Sequence, residues 1–125
     1  MRAAIRLAGG REVCFVCTLD EDAVLRTARV VARGDVESVL ALPGFAQRGE
    51  MLVHNHPSGV LDPSDADYAV AARMHQEGIG FGIIDNDARE LYVVVEVPHE
   101  NPDVPLDTAS IIGRAVLLWS HRPAV

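Results

Sequence analysis

The sequence predicts one α/β (α+β) domain, a mixed β-sheet flanked by helices. Five short runs rich in β-branched or aromatic residues, at 13–19, 24–31, 51–54, 79–85 and 91–97, read as strands. Between the third and fourth lies a stretch with helical spacing, so the pattern mixes hairpins with a crossover. The chain has 125 residues, 49% of them apolar, which suffices for one compact core.

The elements follow in order. Residues 1–10 form a short helical lead-in stopped by Gly9 and Gly10. The runs at 13–19 and 24–31 are separated by Asp20, Glu21 and Asp22 and make an antiparallel hairpin. Asp35 caps a short helix reaching about Leu42, which Pro43 and Gly44 end. The strand at 51–54 gives way abruptly to a polar turn containing proline and glycine, HNHPSGVLDPS. Residues 64–77 then space Tyr68, Ala71, Ala72 and Met74 or His75 along a helix, with Gly78 as its stop. Strands 79–85 and 91–97 flank the turn Asn86, Asp87, Ala88, Arg89.

Three prolines between Pro98 and Pro105 predict an extended connector. The domain thus spans 1–97 and the connector 98–106, while 107–125 holds a C-terminal helix and tail capped by Asp107. That helix carries Ile111, Ile112, Ala115, Leu118 and Trp119 on one stripe, which reads as core or as an interface to a homodimer partner or a following domain.

A net charge of −7 lacks the positive field that gives nucleic-acid binders their non-specific affinity, so direct nucleic-acid binding is not expected. Arg26, Arg29 and Arg33 form the one local basic group, better read as a solvated strand edge. No run approaches the roughly 20 apolar residues of a membrane span, and the N-terminus lacks the features of a secretory signal. The expected location is the cytoplasm. Cys14 and Cys17, on opposite faces of one strand, suit neither a disulfide nor a shared metal.

The polar turn carries the chemistry. His54 and His56 are two residues apart at a strand end, so both imidazoles project from one face and reach one ion. Pro57 keeps His56 extended. A hydrolytic zinc site wants three imidazole or carboxylate ligands and one open position. Asp67, in the first turn of the following helix, is the best third ligand; Asp62 and Asp65 are nearer in sequence but more readily solvated. Ser64, three residues earlier, shares that helix N-terminus. It reads either as one half of a capping box or as a hydroxyl that steadies an oxyanion. For a general base, Glu12 at the start of the first strand is preferred to Glu50, which sits at the far end of the histidine strand. His75, His99 and His121 read as ordinary surface or helix-side residues.

His-x-His, seven residues, Ser, two residues, Asp is matched without a gap by His54, His56, Ser64 and Asp67, and it resembles the signature of the JAMM (JAB/MPN) metalloproteases. The words HNHPSG and Pro63-Ser64-Asp65, with Arg11-Glu12-Val13 upstream, are similar to the RadC-like bacterial branch, including JAB domains at the front of some DinG-like helicases. The resemblance covers about residues 12–97. It implies a cytidine-deaminase-like sandwich and one Zn2+ per chain on His54, His56 and Asp67. By the same resemblance, Glu12 activates the attacking water and later protonates the leaving amine, and Ser64 stabilises the oxyanion. The implied enzyme is a zinc metallopeptidase or isopeptidase. The short loop between His56 and Ser64 leaves no room for the insertions of chain-specific deubiquitinases, so a ubiquitin-like or sulfur-carrier tail, or a peptide, is the expected substrate. The alternative is a non-catalytic or regulatory RadC-like binding module serving DNA repair or a helicase.

Overall fold

The computed structural model describes residues 1–42, 44–98 and, as backbone, the strand 111–117. The chain runs α1 (Arg2–Leu7), β1 (Val13–Leu19), β2 (Leu25–Arg33), a 3-10 helix (Val36–Ala41), β3 (Met51–Asn55), α2 (Asp65–Glu77), β4 (Gly80–Ile84), β5 (Glu90–Val95) and β6 (Ile111–Leu117). These strands form one mixed sheet in the order β2-β1-β3-β4-β5-β6. β1 pairs antiparallel with β2 and β3, β3 parallel with β4, and β4 and β5 antiparallel with their next neighbours. The parallel pair requires a crossover, and α2 is that crossover.

Side-chain alternation divides the core between the two faces of the sheet. Cys14, Val16, Leu52, Phe81 and Ile83 pack toward α2 and the 3-10 helix, while Val13, Phe15, Cys17, Met51 and Val53 pack toward α1 through Ile5. The result is a sheet sandwiched between helices, as the sequence pattern predicts.

Helix α2 starts on a complete capping box. Ser64 Oγ accepts from the Asp67 N–H at 3.1 Å, and the Asp67 carboxylate accepts from the Ser64 N–H at 2.9 Å. It ends on Gly78 at φ 76°, a left-handed turn that glycine adopts without strain. The buried stripe is Asp67, Val70, Ala71 and Met74. The sequence placed Tyr68 on that face, but Tyr68 is exposed, and the register is set by Asp67 turning inward instead.

The expected C-terminal helix is corrected. Residues 111–117 form a strand that pairs antiparallel with β5, so the sheet reaches beyond the boundary expected at 97. The physical reason lies in Ile111, Ile112 and Val116, β-branched residues that favour strand, and in the edge of β5, which has ladder groups to satisfy. The helical stripe through Ile111, Ile112 and Ala115 therefore does not exist; Leu118, Trp119 and most of the 98–106 connector lie outside the described residues. The short helix after Asp35 is a 3-10 turn whose N-cap is Asp35, with the side chain accepting from the Glu37 N–H at 3.0 Å. No helix among the described residues is long and apolar enough to cross a membrane.

Cys14 and Cys17 are free, fully buried and on opposite faces. Burial pushes both thiols from 9.0 up to about 12. An aromatic disulfide reagent at pH 8 is therefore expected to label neither in the folded protein and both in denaturant; rapid labelling of the native state would contradict this packing. The sign of the linkage follows. The unfolded chain loses these protons first, so the thiols' contribution to stability is complete below about pH 8.5 and falls as pH rises toward the folded values.

Candidate metal centre

Strand β3 sets the first candidate ligand. Its even positions face α2, so His54 follows Leu52 into that layer, completely buried and stacked on Phe81 with ring centroids 5.1 Å apart at 18°. His56, just past the strand end, meets His54 edge-on at 5.0 Å and 75°. Its Nδ1 lies 2.8 Å from the Val60 carbonyl. A carbonyl can only accept, so Nδ1 carries the proton, and the lone pair of the neutral ring sits on Nε2. Such an outer hydrogen bond is the usual device for orienting a metal-ligating imidazole.

Helix α2 delivers the carboxylate. Asp67 Oδ1 lies 2.8 Å from His54 Nε2 and Asp67 Oδ2 lies 2.8 Å from His56 Nε2. The Asp67 side chain is only 3% exposed, a burial that an unpaired carboxylate does not tolerate. Burial pushes its pKa up, but the neighbouring His54 and His56 rings and the Ser64 N–H together outweigh this. The carboxyl is held well below the usual carboxylate range.

Three donor atoms from His54, His56 and Asp67 lie within 4.8 Å of one another. His54 Nε2 lacks the alignment of a hydrogen bond to Asp67, and His54 Nδ1 has no partner among the described residues; both atoms are buried. The His56 Nε2 lone pair faces Asp67 Oδ2, so acceptor confronts acceptor at hydrogen-bond distance. A cation between them resolves this, either a proton or a metal. Two imidazole nitrogens and one carboxylate are the donor chemistry of a zinc site. The residues fit a metal ion.

An open cleft of about 400 Å³ beside the centre is lined by Glu12, Asp35, His56, Asp62, Ser64 and Asp67 among others. The structure thus brings Glu12 and Ser64 to the same cleft as the metal cluster. One Glu12 oxygen, Oε2, accepts a short hydrogen bond from the Val36 N–H, and the other has no partner among the described residues. Burial raises the Glu12 pKa against the opposing effects of His54 and the Val36 N–H. Ser64 Oγ accepts from Asp67 N–H, which leaves its own proton free to donate into the cleft.

The rival Glu50 is engaged elsewhere. It pairs with Arg29 at 3.0 Å and accepts from the Gln47 N–H at 2.7 Å, contacts that hold its carboxyl below the usual range. Of the three arginines grouped in the sequence, Arg26 pairs with Asp20 and Arg29 with Glu50, so only Arg33 keeps an uncompensated charge among the described residues. Asp62 lines the cleft without joining the ligand cluster. The sequence reading missed the Val60 carbonyl, which no side-chain motif can reveal, and Phe81, whose role as the floor beneath His54 appears only once β3 and β4 are paired.

A mixed sheet whose crossover helix brings a carboxylate onto a His-x-His strand end is the frame of this candidate centre. Residues 46–88 match the family model of the RadC-like JAB domain, so the segment from β3 to the β4–β5 turn, which carries all three clustered residues, is similar to RadC-like JAB sequence. Glu12 lies upstream of the match. No curated protein matches the chain.

Proposed function

We propose that the protein is a zinc-dependent hydrolase of amide or isopeptide bonds. The observation that carries this reading is the buried meeting of two imidazoles and one carboxylate, with the His56 lone pair facing Asp67, at the wall of an open cleft that also holds Glu12 with one free oxygen. Zinc is favoured over iron or manganese because two nitrogens and one oxygen with an open position suit a tetrahedral ion.

The chemistry a bound zinc supplies is Lewis acidity, which polarises a carbonyl and makes water nucleophilic at neutral pH. His54, His56 and Asp67 would hold it. Glu12 takes the proton from the attacking water on its free oxygen and returns it to the departing amine. The Ser64 hydroxyl donates to the oxygen on which charge develops, and the capping bond from Asp67 N–H fixes its direction. Among the described residues the cleft wall carries Glu12, Asp35, Asp62 and Asp67 and no lysine or arginine. Such a wall repels a terminal carboxylate and accepts an internal amide, as in a ubiquitin-like or sulfur-carrier tail joined through Gly-Gly.

Elemental analysis tests the reading first. Wild-type protein purified without chelators or a histidine tag should hold about one zinc per chain and His56→Ala none. The zinc-loaded protein should cleave a Gly-Gly amide conjugate and the zinc-stripped protein should not. Wild type that takes up no metal even from added zinc would remove the proposal, and zinc without cleavage would leave a binding module.

A further inference from the structure

We infer that Asn55 and Asn86 form a positioning pair that holds Glu12 in register with the metal ligands. The inference rests on the reading of Glu12 as the base. Asn55 is the residue between the two histidines, and its side chain points to the sheet face opposite theirs, fully buried. Its amide oxygen accepts from the Val13 N–H at 2.7 Å, and its amide nitrogen donates to the Arg11 carbonyl at 3.1 Å. One side chain of the histidine strand therefore grips the backbone on both sides of Glu12.

The remaining donor of Asn55 goes to Asn86 Oδ1 at 2.9 Å, and Asn86 Nδ2 donates to the Pro57 carbonyl at 3.2 Å. Asn86 belongs to the β4–β5 turn, which Asp85 fixes by accepting from the N–H groups of Arg89 and Glu90. The pair thus ties three segments that lie apart in sequence: the entry to β1, the loop after His56 and the β4–β5 turn. Asn55 contributes every hydrogen-bonding group it has except one lone pair, and both its donors are used. Asparagine is disfavoured inside strands, and valine or isoleucine would fill the same buried position if packing were the only requirement. What the amide adds is a fixed distance between the Glu12 backbone and the strand that carries His54.

Two substitutions separate this role from general packing. Asn55→Asp keeps the acceptor for Val13 but faces the Arg11 and Asn86 oxygens with another oxygen. Asn86→Ala, at a partly exposed turn position, removes only the outer half of the pair. The readout is the carboxyl carbon signal of Glu12 in protein labelled with carbon-13 glutamate at fixed pH, assigned by its loss in Glu12→Gln and recorded with and without zinc. Both substitutions should move that signal while the signal of the remote Glu77 stays in place and zinc still binds. Turnover of a Gly-Gly conjugate should fall by about 10²-fold in kcat with KM unchanged. In the Glu12→Gln background the further loss should vanish, because the pair acts through Glu12. A Glu12 signal unmoved in folded, zinc-binding Asn86→Ala would overturn the inference, as would an undiminished effect in the Glu12→Gln background. The carbon signal reads the positioning even in a protein that cleaves nothing, so a moved signal without turnover would sink the hydrolase reading alone.

Discussion

Glu12→Gln is expected to lower hydrolysis by about 10²- to 10⁴-fold while zinc content stays at the wild-type level. Glutamine preserves the shape and still offers an oxygen to the Val36 N–H, so the loop between β2 and the 3-10 helix keeps its anchor. What disappears is the ability to take a proton. The same substitution should raise the melting temperature of the zinc-free protein. Burial holds the Glu12 pKa above its ordinary value, so the folded state binds that proton more tightly than the unfolded chain. The stability it lends is complete only below the unfolded value of about 4.3 and is lost as pH rises through the folded value, which leaves the ionised group a cost at neutral pH. Parallel measurements of turnover, zinc and melting decide it: unchanged turnover would remove Glu12 as the base.

Asp67→Ala and Asp67→Asn should both abolish stoichiometric zinc binding, yet differ in stability. Alanine removes the carboxylate that accepts from the Ser64 N–H and so half of the capping box, a loss of about 1 kcal/mol before the exposed histidine faces are counted. Asparagine retains an acceptor for Ser64 and should keep most of the helix start. The zinc-free proteins should also part at acid pH. The folded Asp67 carboxyl lies below the usual range, so its contribution is complete above about pH 3.9 and lost as pH falls through the folded value. That acid sensitivity should be absent from Asp67→Ala. Zinc retained at one per chain in Asp67→Ala, measured by elemental analysis, would exclude Asp67 as a ligand.

The sheet strands up to Val95 and the crossover helix are legible in the sequence because periodicity, β-branching and the stops at Gly9, Gly10 and Gly78 agree with one another. The clustering of His54, His56 and Asp67 is legible for a different reason: strand alternation and the helix start are local geometry, and local geometry is what a sequence encodes most directly. The C-terminal segment misled because Ile111, Ile112 and Ala115 satisfy a helical spacing and a strand composition at once; only the edge of β5, remote in sequence, decides between them. Asn55 escaped notice for a similar reason. Its partners Val13, Arg11 and Asn86 lie 42, 44 and 31 residues away, and no pattern along the chain announces such bonds.

Helix α2 is at once the connection between two parallel strands and the bearer of Asp67. His54 lies in the first of those strands and His56 just past its end, so the candidate cluster closes only when the crossover helix has packed back and β4 can dock beside β3. Parallel pairing of this kind pays its loop-closure entropy before any contact rewards it, and is slow for that reason. An ion captured by the finished cluster would bind the native chain and not the unfolded one. At a free concentration 100 times its dissociation constant it adds about 2.7 kcal/mol to the stability of the whole domain. Metal supply would then govern how long the folded chain survives, and a chelator would shorten that lifetime.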